Sequence, residues 1–242
     1  MSWYSARSFA AAALALTIVS TTACSAASAG LTSGLGIPEQ VEGIPDVVLR
    51  AYGQAAAATS EIAPECTGMT WGLLAGIGQE ESQHGLYYGG TVAPDGTVTP
   101  PIIGVALNGG VINDRGDTVQ AIPDTDGGHY DKDPHWDRAV GPMQFIPSTW
   151  TSWAPQANPD VADPDPQNIF AATRTTVAYL CGRGKTDLTD RTTLQNRIRA
   201  YNNSSAYVDA VITNMEEYNA IPVATHTGYG ASGAAAIAID WA

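Results

Sequence analysis

Two adjacent glutamates, Glu80 and Glu81, follow an apolar stretch and could supply acid–base chemistry. Leu74 and Ile77 lie seven and four residues before Glu81, so this carboxyl falls on the apolar stripe of a predicted helix. A carboxyl at the edge of an apolar face is poorly solvated, and we expect its pKa to rise enough for a general acid near neutral pH. Glu80 stands in a similar relation to Leu73, so periodicity does not choose between the two. The alternative is that both glutamates are simply exposed at a helix end. Without further motifs, this alternative is the favoured interpretation.

A second group of side chains suits sugar binding. The run Gly141-Pro142-Met143-Gln144-Phe145 begins with a dipeptide that predicts a turn and continues with apolar, amide and aromatic groups. This mixture is typical of a sugar-binding cleft. A turn that enters the core is the alternative interpretation.

A third group, Tyr201-Asn202-Asn203-Ser204, places a phenol and two amides between two predicted helices. A plain helix-to-helix turn is the alternative, because Asn and Ser favour turns in any case. Each of the three motifs is weak evidence by itself.

Helical periodicity and capping residues predict six helices that would position these groups. The first two helices cover 45–58 and 71–83, and the third begins at Pro147. The fourth is capped by Asp165-Pro166 and ends at Gly182. The fifth is capped by Asp190, and the sixth by Ser204 or Ser205. The segment 85–135 is rich in Gly, Pro, Asp and Thr, which predicts loops and at most a short β-hairpin. Strands and helices do not alternate, so we expect a mainly α fold with a loop-rich insertion and no doubly wound sheet.

The composition excludes several classes of protein. The chain has 242 residues with 11 Lys+Arg and 24 Asp+Glu, a formal net charge of -13. This acid excess argues against nucleic acid as a partner and against docking on anionic lipid, since both require clustered cations. Hydrophobic residues make up 44% of the chain, enough for the core of a single domain. Outside the N-terminus no apolar run is long enough to span a membrane.

The first 29 residues predict export from the cytoplasm. Arg7 precedes an apolar run at 9–19, and small residues that include Ala27-Ser28-Ala29 follow it, which is the pattern of a cleaved signal peptide. Thr21-Thr22-Ala23-Cys24 is a degenerate lipobox, so a lipoprotein anchored at Cys24 is the alternative. In both cases we expect a secreted or cell-wall-associated protein.

Export leaves Cys66 and Cys181 as the remaining cysteine pair in an oxidising compartment, which predicts a disulfide between them. The bond would close a long loop. Two separately buried thiols are the alternative.

Taken in order, the three motifs resemble those of the lytic transglycosylases of the lysozyme-like superfamily. That family carries a Glu-Ser, a Gly-x-Met-Gln and a Tyr-Asn motif, matched here by Glu81-Ser82, by Gly141-Pro142-Met143-Gln144 and by Tyr201-Asn202. The run 139–150 is similar to the membrane-bound-transglycosylase-B-like branch found in secreted actinobacterial proteins. The resemblance covers about residues 43–220 and implies a lysozyme-like helical domain.

The resemblance also implies a role for each matched residue. Glu81 would protonate the oxygen of the bond between N-acetylmuramic acid and N-acetylglucosamine in peptidoglycan. Ser82 would hydrogen-bond near this acid and help to orient it. The other implied substrate contacts are Met143, Gln144, Phe145, Tyr201 and Asn202.

The implied reaction uses one carboxyl and no metal or cofactor. The acetamido group of muramic acid would stabilise the positive charge at C1, and Glu81, then a base, would activate the 6-hydroxyl to give a 1,6-anhydro end. Among the aspartates, Asp137 is the best candidate for a second carboxyl that assists Glu81. The run 156–163 lacks the glycine that a calcium loop requires, so we expect no calcium there. The implied partner is the peptidoglycan glycan strand, and we expect a monomer.

The predicted organisation is a leader at 30–42, a catalytic domain at 43–220 and a Gly/Ala-rich tail at 221–242. The run 230–242 resembles the linker that introduces an NlpC/P60 peptidase domain in two-enzyme wall hydrolases, with an ordinary alanine-rich tail as the alternative. Two other functions stay open. One is a muramidase of the same fold, which hydrolyses the bond, and the other is a non-catalytic cell-wall-binding protein.

Overall fold

Seven α-helices carry the fold in the computed structural model, which describes residues 34–110, 118 and 120–223. The helices are α1 Asp46–Ala57, α2 Thr59–Ile62, α3 Trp71–Ser82, α4 Pro147–Ala157, α5 Ile169–Cys181, α6 Arg191–Tyr201 and α7 Ser205–Asn219. The expected helix-rich fold is therefore confirmed. The predicted signal peptide with Cys24, the leader before residue 34 and the tail from residue 224 onward lie outside the described residues.

Helix α3 lies at the centre of the packing and contacts α7 most extensively, while α1 packs on both α3 and α5. Glycines in α3 make the contact with α7 possible. A Cβ atom at Gly76 would stand 2.7 Å from the carbonyl oxygen of Val211, so a larger residue would push the helices apart. None of the helices in the described part of the chain has the length and apolar character needed to cross a bilayer.

Side-chain caps mark where most of these helices begin. Asp190 and Ser204 cap α6 and α7 as predicted, but Asn168 caps α5, and the prediction of Asp165-Pro166 was wrong. The reason is a long-range contact. The Gln167 side-chain amide bonds both the N–H and the carbonyl of Ile102 at 2.9 Å, which holds Gln167 in a turn that ends at Asn168.

Within the described residues three small two-stranded sheets flank the helices, so the chain holds more strand pairing than the one short hairpin that the sequence predicts. The sheets pair β2 Thr91–Val92 with β3 Val98–Thr99, β4 Ile103–Ala106 with β5 Arg138–Val140, and β1 Cys66–Thr67 with β6 Thr186–Asp187. Only the first is a local hairpin. The other two pairings join segments far apart in the chain, which local sequence patterns do not reveal.

A disulfide joins Cys66 to Cys181, as predicted, with a Cα–Cα distance of 5.6 Å. It ties the start of β1 to the last residue of α5 across 115 residues of chain. The parallel pairing of β1 with β6 begins at the same cysteine, so covalent and hydrogen-bonded links reinforce one another.

A histidine lies in the core directly after α3. His84 is 2% exposed, and its Nδ1 and Nε2 atoms are each 3.0 Å from a tyrosine hydroxyl, those of Tyr52 and Tyr218. Burial lowers the pKa of His84 to about 4. A neutral imidazole has one donor and one acceptor nitrogen, so one hydroxyl donates to the ring and the other accepts from it.

We expect the double variant Cys66→Ser/Cys181→Ser to lose about 4 to 5 kcal/mol in the free energy of unfolding, because a cross-link that closes a loop of this length restricts the unfolded chain. Denaturant unfolding of the variant and of the oxidised wild type measures the difference. Equal midpoints before and after reduction of the wild type would contradict the prediction.

We also expect the free energy of unfolding to fall by about 3 kcal/mol through His84 alone as the pH drops from 7 to 4. The unfolded chain takes up a proton at this histidine near its ordinary pKa, whereas the folded protein does so only near pH 4. Denaturant unfolding of His84→Asn supplies the control, since asparagine tolerates the positive φ of 60° at this position. If the difference in the free energy of unfolding between wild type and His84→Asn does not change with pH, the prediction is contradicted.

Candidate functional site

An open cleft of about 240 Å³ lies where the last turn of α3 meets the turn before α4 and the ends of α5 and α6. Five of the seven predicted substrate residues line it, namely Glu81, Gln144, Phe145, Tyr201 and Asn202. The rest of its wall comes from Leu107, Ala139, Ile146, Thr149, Tyr179 and Ala200. Residues from all three sequence motifs therefore meet in one cleft.

Glu81 is half-buried, and it receives a short hydrogen bond from Tyr207 of α7. The Tyr207 hydroxyl donates to Glu81 Oε1 at 2.5 Å. Burial, together with the negative charge of Glu81, raises the pKa of Tyr207 well above its ordinary value, so the phenol keeps its proton and remains a donor. Sequence reasoning missed Tyr207, although helical spacing places it on the buried face of α7 with Val208 and Val211.

The structure separates the two glutamates that periodicity left open. The side chain of Glu80 turns toward α7, where Asn214 Nδ2 donates to its Oε1 at 3.1 Å, and Glu80 is not among the cleft residues. Each helical residue is rotated by about 100° from the one before it, so adjacent carboxyls leave α3 in different directions. Glu81 is the one that faces the cleft.

Ser82 and Met143 are fully buried and lie behind the cleft, which corrects the expectation that they contact substrate. The Ser82 hydroxyl donates to the carbonyl of Pro142 at 2.6 Å and accepts from the N–H of Gly85 at 2.8 Å. The carbonyl of Met143 accepts from the Tyr201 hydroxyl at 2.6 Å. Both residues thus hold neighbouring parts of the site in place.

The turn that carries Gln144 is tightly closed. Val140 and Phe145 exchange two backbone hydrogen bonds, at 2.8 and 3.0 Å. Gly141 has a φ of 77°, and a Cβ there would overlap the carbonyl oxygen of Pro166, so only glycine fits. Gln144 itself has a φ of 48°, which is uncommon outside glycine and is found preferentially at functional sites.

Aromatic rings form one wall of the cleft. Tyr201 packs edge-on against Phe145 and Tyr179, with ring centroids 5.6 and 5.5 Å apart. Tyr179 in turn contacts Trp153 at 5.8 Å. Burial and the charge of Glu81 raise the pKa of Tyr201 well above its ordinary value, so this phenol also stays neutral.

A group of aspartates gathers in the insertion, and none of them lines the cleft. Ligand atoms of Asp124, Asp126 and Asp137 all lie within 4.8 Å of one another, the arrangement among the described residues that comes closest to a metal site. These carboxylates already organise the loop. Asp137 is fully buried, accepts from both the N–H and the hydroxyl of Thr125, and is not among the residues that line the cleft.

Comparison of the chain with known protein families, with curated proteins and with solved structures finds no match. Any assignment of function therefore depends on the chemistry of the cleft and on the three ordered motifs.

For the peptidoglycan cleavage that the sequence resemblance implies, we predict that Tyr207→Phe will lower kcat by about tenfold, because the Glu81 carboxyl loses the hydrogen bond from Tyr207 that helps to orient it. Steady-state assays on purified peptidoglycan give kcat and KM. Tyr218→Phe is the matched control, since it removes a phenol that bonds His84 and not the acid. It should lower stability and leave kcat unchanged, and a similar loss of kcat in both variants would refute the role of Tyr207.

Proposed function

We propose that this chain is a lytic transglycosylase with a lysozyme-like domain, which cleaves the β-1,4 bond between N-acetylmuramic acid and N-acetylglucosamine in peptidoglycan. The observation that carries the proposal is the meeting of Glu81, Gln144, Tyr201 and Asn202 in one cleft. These residues belong to three motifs that are separate in the chain and follow the order of the family they resemble.

In the proposed reaction Glu81 first acts as a general acid. Its proton passes to the glycosidic oxygen as the bond to C1 breaks, and the acetamido oxygen of muramic acid attacks C1 to hold the positive charge. Glu81, now a carboxylate, then removes the proton of the 6-hydroxyl. The 6-oxygen bonds to C1, the acetamido group is released, and the product is a 1,6-anhydro ring.

The carboxyl content of the cleft favours assistance by the acetamido group over a mechanism with two protein carboxyls. Most glycosidases use two carboxyls, about 5 to 9.5 Å apart, of which one serves as nucleophile or base. Among the described residues that line the cleft, Glu81 is the one carboxyl. The substrate's own acetamido group is therefore the better candidate for the second role, and no cofactor is required.

The remaining cleft residues suit a sugar substrate. The amides of Gln144 and Asn202 can both donate to and accept from hydroxyl and acetamido groups, and the rings of Phe145 and Tyr201 offer apolar faces to pyranose rings. Substrate and location agree, since peptidoglycan lies outside the cytoplasm, where the predicted signal peptide would deliver the chain and where a disulfide persists.

The product of digestion tests the proposal. We expect mass spectrometry of digested peptidoglycan to detect anhydro-muramic ends, which are one water lighter than hydrolysed ends. Reducing ends without anhydro products would identify a muramidase instead. Binding without any cleavage by the wild type would identify a cell-wall-binding protein.

Glu81→Gln should lower the cleavage rate by about a hundredfold or more, because the amide cannot donate the proton that the leaving oxygen needs. Glu80→Gln is the matched control on the adjacent residue and should retain activity, since the Glu80 side chain bonds Asn214 outside the cleft. Rates come from release of soluble fragments from purified peptidoglycan. Loss of activity in Glu80→Gln with activity retained in Glu81→Gln would reverse the assignment.

A further inference from the structure

A second hollow of about 230 Å³ adjoins the cleft and is used by none of the steps above. Residues 62–65 form one of its walls and residues 182–184 the other, with Trp153, Gln156 and Ala178 between them. We call it the side hollow. The disulfide ties the two walls together, because Cys66 follows one wall in the chain and Cys181 precedes the other.

The side hollow adjoins the cleft along two helices. On α4, Thr149 lines the cleft and Trp153, one turn later, lines the side hollow. On α5, Tyr179 lines the cleft while Ala178 lines the side hollow. The rings of Trp153 and Tyr179 are in edge contact at 5.8 Å, so a single pair of rings separates the two spaces.

Arg183 gives the side hollow an exposed positive charge that is not held in an ion pair within the described residues. Its guanidinium lies 5.6 Å from the centre of the Trp153 ring. Three other arginines, Arg138, Arg174 and Arg191, pair with carboxylates at 2.5 to 2.9 Å. Within the described residues no carboxylate forms an ion pair with Arg183, although the chain carries a net charge of -13.

The other side chains of the side hollow narrow the choice of ligand. Ile62, Ala63 and Pro64 present apolar surface, and Glu65 adds one negative group at the same wall. Hydroxyl groups alone can bond such side chains, but they leave the opposite charges of Arg183 and Glu65 without ionic partners on the ligand. A short peptide with alanine methyl groups, free carboxylates and one amine would match this lining. Its methyl groups would meet the apolar surface, a carboxylate would meet Arg183, and the amine would meet Glu65.

We propose that the side hollow binds the stem peptide attached to the muramic acid in the cleft, with Arg183 pairing with a peptide carboxylate and Trp153 packing against the peptide backbone. The inference rests on the proposed function, since the stem peptide belongs to that substrate. Each residue of an extended peptide spans about 3.3 to 3.6 Å, so a few residues suffice to pass the ring pair. Trp153 and Arg183 are thus specificity residues and take no part in bond cleavage.

The test compares two substrates, glycan strands that retain their stem peptides and the same strands stripped of peptide by an amidase. Arg183→Ala in the full chain should raise KM about tenfold on peptide-bearing strands and leave kcat and the activity on stripped strands unchanged. Arg183→Lys should recover part of the loss, because it keeps the charge but not the bidentate geometry.

Arg50→Ala is the matched control. Arg50 lies over the ring of Phe170 at the same 5.6 Å, but it lines neither the cleft nor the side hollow. It should not change KM on either substrate. An equal rise of KM for Arg183→Ala on both substrates would make the hollow a sugar subsite, and no rise on either would exclude binding there. Both results overturn the inference.

Direct binding separates this inference from the proposed function. The free peptide L-Ala-γ-D-Glu-diamino acid is titrated into wild type and Arg183→Ala, with calorimetry as the readout. Binding that the variant loses supports the side hollow as a peptide site even if the wild type cleaves neither strand. If the wild type cleaves peptidoglycan but does not bind the free peptide, and Arg183→Ala cleaves both strands normally, the inference fails while the proposed function stands.

Discussion

The contact between helices α3 and α7 is the constraint on which the site depends. Gly76 lets the backbone of α7 come close enough for Val211 to pack against α3. That distance sets the reach of Tyr207, whose hydroxyl meets the Glu81 carboxyl at 2.5 Å. A wider spacing would remove the hydrogen bond from Tyr207 to the carboxyl, so the close approach of two helices in the core helps to orient the candidate acid in the cleft.

Hydrogen bonds that start from buried residues connect the three motifs to one another. Ser82, next to the acid, bonds the carbonyl of Pro142, and the carbonyl after it, that of Met143, accepts from Tyr201. The cleft is therefore organised before any substrate arrives, and buried groups behind it do the positioning. The neutral phenol of Tyr207 donates to Glu81 while that of Tyr201 donates to the carbonyl of Met143, and the aspartates of the insertion hold their own loop.

Much of the fold could be predicted because helices are determined locally. The period of apolar residues and caps such as Asp190 and Ser204 act within one or two turns, and the predicted helices match the observed ones closely. The errors lie where distant segments meet. The bonds from Gln167 to Ile102 keep Gln167 outside α5, whose cap is therefore Asn168. Two of the three small sheets join segments that are far apart in the chain.

The sequence by itself determined which residues could do chemistry, the helices that carry them and the cysteine pair. Only the tertiary structure decided which of them reach the cleft. It placed Glu81 there and turned Glu80 toward Asn214, and it buried Ser82 behind the cleft. It also brought in Tyr207, from a helix more than a hundred residues later. The physical reason is that the type of a side chain is local information, whereas its direction and its neighbours depend on how closely the helices pack.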